Sequence, residues 1–163
     1  MYKIPNVKIE SNTLFDLIYG KIKTDILLSA IELKIFNLTI KPCKIQEITC
    51  ILNWNEKNTE LFLNALCSID LLIKKDNLYF NTIISNTFLV ESKQTYLGDF
   101  LIMIHQSHIQ NKDQMKKLIM NGSIDQDQQI EFSDEFYSLN LKSMRNLALS
   151  GFAQKISEII SSL

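Results

Sequence analysis

The stretch KIQEITCILNWNEKNTELFLNALCSIDLLIKKDNLYF, residues 44–80, decides the fold. Its first nine residues put Ile45, Ile48, Ile51 and Leu52 on one face of a short helix. Asn53-Trp54-Asn55 reads as a turn. Asn55 stands where its side-chain oxygen can accept an unpaired helix N–H. A second helix over 56–69 carries Leu61, Phe62, Ala65, Leu66 and Ile69. Leu71-Leu72-Ile73 and Leu78-Tyr79-Phe80 then flank a polar Lys74-Lys75-Asp76-Asn77, the pattern of two short strands around a turn. Helix, turn, helix, hairpin is the order of a winged helix-turn-helix. The expected class is therefore mainly α, with a winged helix-turn-helix core, a small β-hairpin and additional long helices.

Working outward, residues 1–11 read as an N-terminal arm, in which Pro5 discourages helix. Ser11-Asn12-Thr13 offers capping oxygens, and Asp16 follows Thr13 at capping-box spacing. Leu14, Leu17, Ile18, Ile22, Ile26, Ala30 and Ile31 then recur at steps of three and four, predicting a helix to about Lys34 with Gly20 as its weak point. On the other side, Thr82 caps a short helix through Ile83, Ile84 and Phe88. Residues 96–109 and 112–121 read as helices, the second ended by Gly122, with a polar loop over 123–134. A single long helix over 135–163 carries an apolar stripe of Tyr137, Leu141, Met144, Ala148, Phe152, Ile156, Ile159 and Leu163. The division is an arm over 1–11, a winged unit over 12–92 and a helical extension over 93–163.

Composition narrows the function. The chain has 163 residues, 46% of them hydrophobic and 21% charged, enough to bury a core. Its 4 glycines stand isolated, and neither G-x-G-x-x-G nor a P-loop occurs, so no phosphate-cradling loop is written here. The net charge of −1 and the lone Arg145 lack the basic surplus of a nucleic-acid binder. Cys43, Cys50 and Cys67 form no C-x-x-C and read as reduced thiols, which places the chain in the cytoplasm. No apolar run is long enough to span a membrane.

Candidate chemistry is sparse. His105 and His108 share a helix face and could hold a metal with Asp99 or Asp113, but polar residues on a helix edge explain them better. Glu131, Asp134 and Glu135 read as solvated charge at a helix start. The second helix of the winged unit would be the DNA-reading one. It offers Lys57 against Glu56 and Glu60, and many large apolar residues, so packing suits it better than base contact. A winged-helix transcriptional regulator remains the alternative, and a ligand-binding dimer without activity a third reading.

These residues resemble the N-terminal dimerisation domain of class I S-adenosylmethionine-dependent O-methyltransferases. The family's "L-x-A-A-x-E-L-G-I-F" stands here as Leu27 to Phe36, and its "L-L-x-A-L-x-x-x-G-L-L" as Phe62 to Leu72. The wing exit matches through Tyr79-Phe80-Asn81-Thr82, Ser85, Phe88-Leu89-Val90 and Tyr96-Leu97-Gly98-Asp99. Met115 to Gly122 resembles "W-x-x-L-x-x-x-x-G", and Ser143-Met144-Arg145 through Ala153 resembles the "A-M-x-x-x-A" helix. Lys34 and Asp70 replace usual glycines, and Met115 a common tryptophan.

The resemblance implies a homodimer with interleaved helices, acting on a small, aromatic acceptor. It implies that Met144, with Met103 and Gln106, walls the acceptor pocket. It places the S-adenosylmethionine site and the catalytic base in a domain beyond Leu163. For this chain it implies no catalytic residue, cofactor or metal of its own, no membrane or nucleic-acid partner, and no methyl transfer unaided.

Overall fold

The computed structural model describes residues 11–108, 116, 119–120, 122 and 134–162. The first helix, α1 (Asn12–Glu32), is uninterrupted at Gly20. Only its second half enters the core, through Leu28, Ala30 and Ile31. Lys34 then turns the chain at φ 57° into α2 (Ile35–Leu38), whose Ile35 and Phe36 are fully buried. Asp70 is also left-handed, at φ 59°. Both positions where the resemblance expects glycine thus take a left-handed backbone with residues that carry a Cβ, at a local cost of roughly 1 kcal/mol each. At Lys34 an ion pair from Nζ to Glu91 at 3.1 Å helps to hold the turn.

The sheet has three antiparallel strands, β1 (Cys43–Lys44), β2 (Leu72–Lys75) and β3 (Leu78–Asn81), in the order β1-β3-β2. The hairpin read from the sequence is β2–β3, with Lys75 opposite Leu78. Asp76 and Asn77 form its two-residue loop at φ 51° and 59°, both positive as the matching hairpin twist requires. The third strand is a correction: Cys43 pairs with Tyr79 and Lys44 with Leu78. Two residues are too few to show an alternating pattern, so β1 exists only because β3 offers it an edge.

The helices of the winged unit are α3 (Ile45–Leu52), α4 (Glu56–Ser68) and α5 (Ile83–Phe88). Asn55 caps α4, its Oδ1 accepting from the N–H of Asn58 at 3.0 Å, and Thr82 caps α5 by accepting from Ser85 N–H at 3.3 Å. The buried face of α4 is Thr59, Leu63 and Leu66; of the expected set Leu66 is fully buried and Phe62 and Ile69 pack against the core, whereas Leu61 is exposed. One core joins Ile31, Phe36, Ile48, Leu63, Leu66, Tyr79 and Val90.

Beyond it lie α6 (Gly98–His108), α7 (Asp134–Leu147), a π-helical turn (Ala148–Phe152) and α8 (Ala153–Ser161). Lys142 of α7 is ion-paired with Asp99 of α6 at 2.9 Å. The single long final helix of the sequence reading is therefore broken. Gly151, at φ 104°, leaves the helical region and redirects the chain. Its stripe also misleads: Tyr137, Leu141, Met144, Phe152, Ile156 and Ile159 are exposed, and Ser143, off the stripe, is fully buried. The arm over 1–10, most of the 112–121 helix and most of the 123–134 loop lie outside the described residues.

Candidate functional site

Two apolar surfaces dominate. On the first half of α1, Leu14, Phe15, Leu17, Ile18, Tyr19 and Ile22 are each at least half exposed. At 100° per residue they cover an arc of about 200°, wider than the stripe of a helix resting on one surface. Phe15 and Tyr19, absent from the stripe read in the sequence, stack with ring centres 6.2 Å apart. Lys21, which pairs with Asp25 at 2.9 Å, bounds this surface on the same side of the helix, and the opposite side carries Asp16 and Lys23. The second surface runs along α7, the π-turn and α8 through Leu141, Met144, Phe152, Ile156 and Ile159. Exposed apolar surface on this scale marks an interaction site rather than ordinary surface.

The residues expected to wall a pocket fall on two packed helices. Met103 of α6 is buried, at 8% exposure. Gln106, three residues on, is exposed. Met144 of α7 is about half exposed, at 47%, and stands beside the buried Ser143.

The winged unit has the elements of a DNA reader, but one of its two wing lysines is engaged within the fold. Lys74 of β2 donates to Glu60 Oε1 at 3.0 Å and to Asn64 Oδ1 at 3.2 Å, both on α4. Its Nζ lies 5.0 Å from the centre of the Tyr79 ring, and the Tyr79 hydroxyl donates to Asn64 Oδ1 at 2.9 Å. Hydrogen bonding with Tyr79, then with Glu60, pushes the Lys74 ammonium above its ordinary pKa. The principal wing cation is thus held by the helix that would read bases.

Among the described residues no three His, Cys, Asp or Glu side chains cluster as metal ligands. Of the residues expected to join His105, Asp113 and the His108 side chain lie outside that set, and Asp99 is ion-paired with Lys142. The three cysteines are free thiols. Burial, and then Glu47, pushes the Cys43 thiol up; burial does the same to Cys67 against a smaller opposing effect of Lys74. Neither is an activated nucleophile. No helix among the described residues is long and apolar enough to cross a membrane.

A winged helix whose reading helix and wing are bound to each other, flanked by exposed apolar helices, is an association module. Residues 15–91 match the O-methyltransferase dimerisation domain. The whole fold is similar to that of a putative O-methyltransferase from Nostoc punctiforme, with a TM-score of 0.74 at 16% identity, covering 96% of this chain and 48% of that one. It is similar also to an O-methyltransferase family protein from Burkholderia thailandensis, with a TM-score of 0.66 at 18% identity, covering 96% and 46%. Human N-acetylserotonin methyltransferase, solved with S-adenosylmethionine, gives a TM-score of 0.60 at 18% identity, covering 87% and 44%. The chain thus spans less than half the length of these proteins. No curated protein sequence matches it.

Proposed function

We propose that this chain is the dimerising and acceptor-capping part of an S-adenosylmethionine-dependent O-methyltransferase for a small aromatic acceptor. The observation that carries the reading is the wide exposed apolar face of α1 from Leu14 to Ile22, at the start of the matched domain. Such a face loses water contact when two copies pair about a two-fold axis, each presenting the same patch to the other. The surface along α7 and α8 supplies further apolar area for association.

In this reading Met144 touches the acceptor, and Met103 and Gln106 back it from α6. A thioether at half exposure suits an aromatic face because it is polarizable and conforms to it. One similar fold belongs to an enzyme named for N-acetylserotonin, which carries an indole ring. Gly20 is inside a helix, Gly98 packs against Tyr96, and Gly151 forms a kink. No step is therefore assigned to the donor here.

The regulator reading is weaker, because Lys74 is engaged by Glu60 and Asn64. Sedimentation equilibrium tests the proposal. The chain should be dimeric at tens of micromolar, and Leu17→Glu with Ile18→Glu should yield a folded monomer. A monomeric parent chain, or a doubly substituted chain that stays dimeric through other surfaces, defeats the α1 reading.

A further inference from the structure

The turn of the helix-turn-helix opens a groove of about 480 Å³ that the acceptor-capping role does not use. Its walls are Trp54 and Phe62, both half-buried, with Leu33 from the end of α1 closing one side. Its rim is made by Asn53, Asn55 and Asn58. No lining side chain is charged, so the groove offers an ion nothing to replace its lost water. Two aromatic faces favour a flat ring system. The exposed amides of Asn53 and Asn58 can each donate and accept at a ring edge. The volume falls in the range of small-molecule sites.

The loop that builds the groove is fixed. Asn53 turns left-handed at φ 54°. Asn55 Oδ1 is committed to the N–H of Asn58, and the Thr59 hydroxyl donates to the Asn55 carbonyl at 2.8 Å. A site already held in shape spends less of its binding energy on ordering.

We infer that this groove binds a neutral, planar heteroaromatic molecule, with its rings against Trp54 and Phe62 and its polar edge on Asn53 and Asn58. The site is separate from Met144 and does not depend on the methyltransferase reading.

Trp54 is the chain's one tryptophan, so its fluorescence reports on this groove alone. The whole chain, in its own oligomeric state, is titrated with caffeine and with adenosine as uncharged planar probes. The expected result is a saturable change in tryptophan emission with at least one of them. Phe62→Ala should weaken that binding about tenfold, a loss equivalent to one good aromatic contact with its buried area. Asn58→Ala, at an exposed position, should weaken it severalfold without touching the fold. Met144→Ala should leave it unchanged. The proposal is overturned if neither probe gives saturation up to millimolar concentration, or if binding survives both groove variants undiminished. It is overturned equally if Trp54 emission shifts when the chain is diluted from dimer to monomer, since a second copy then fills the groove.

Discussion

Asn81 of β3 donates through Nδ2 to the carbonyl oxygen of Phe36 at 2.8 Å, tying the central strand to α2. Its Oδ1 lies 2.7 Å from Thr39 Oγ1, and its own N–H donates to the Thr39 carbonyl at 2.9 Å. All of this is buried. Asn81→Leu strands the Phe36 carbonyl without its partner, and should cost about 2–4 kcal/mol. Urea denaturation at one fixed protein concentration measures it, because association adds its own stability. Adding Thr39→Val should cost less than the two single losses summed, since both act on one network.

Gly98 and Gly20 should respond to alanine with opposite sign. A Cβ at Gly98 runs into the buried ring of Tyr96, whereas one at Gly20 meets open space inside α1. Burial, then the carboxylates of Asp99 and Glu91, pushes the Tyr96 phenol well above its ordinary range, so the ring sits in an apolar place it cannot easily leave. Gly98→Ala should destabilise by about 1–3 kcal/mol. Gly20→Ala should stabilise by roughly 0.5–1 kcal/mol through helix propensity. Thermal melts of the two variants beside the parent chain decide this, and shifts of the same sign refute it.

Gly151→Ala should straighten the end of the chain. An L-residue is strained at φ 104°, and no neighbour stands in the way of the added methyl group. The cheaper outcome is one continuous helix through α7 and α8. Spin labels at the exposed Ser138 and Glu158 would then lie about 30 Å apart at 1.5 Å per residue, farther than in the parent chain. An unchanged distance distribution would show that the kink does not depend on glycine.

The thiols should separate by pH. Cys50 is exposed, whereas burial raises Cys43 and Cys67. At pH 8 an aromatic disulfide reagent should modify Cys50 first, the half-buried Cys67 more slowly, and the buried Cys43 only through opening of the fold. A thiol raised in the folded state adds stability that is complete below the unfolded value near 9.0 and is lost as pH climbs through the folded one. Stability should therefore fall above about pH 9, and less steeply in Cys43→Val. Equal reactivity of the three thiols contradicts this burial pattern.

The sequence by itself determined the winged unit. Capping at Asn55 and Thr82, the hairpin about Asp76-Asn77 and the existence of α1, α3, α4 and α6 are local matters. They follow from side-chain periodicity and from which residues can satisfy a free N–H or accept a positive φ. The same local chemistry made the family resemblance readable before any coordinates.

Only the tertiary structure decided which apolar residues are core and which are surface. Periodicity reports that a helix has an apolar face, but not whether anything packs on it. It therefore gave no warning that Leu14 to Ile22 are exposed, that Leu61 points outward, or that Ser143 of α7 is buried. Strand β1 required the edge of β3, far along the chain, to declare itself, and the Asn81–Phe36 bond joins residues that no local pattern relates. The break at Gly151 was equally hidden, since a glycine permits a positive φ without requiring one, and its surroundings choose.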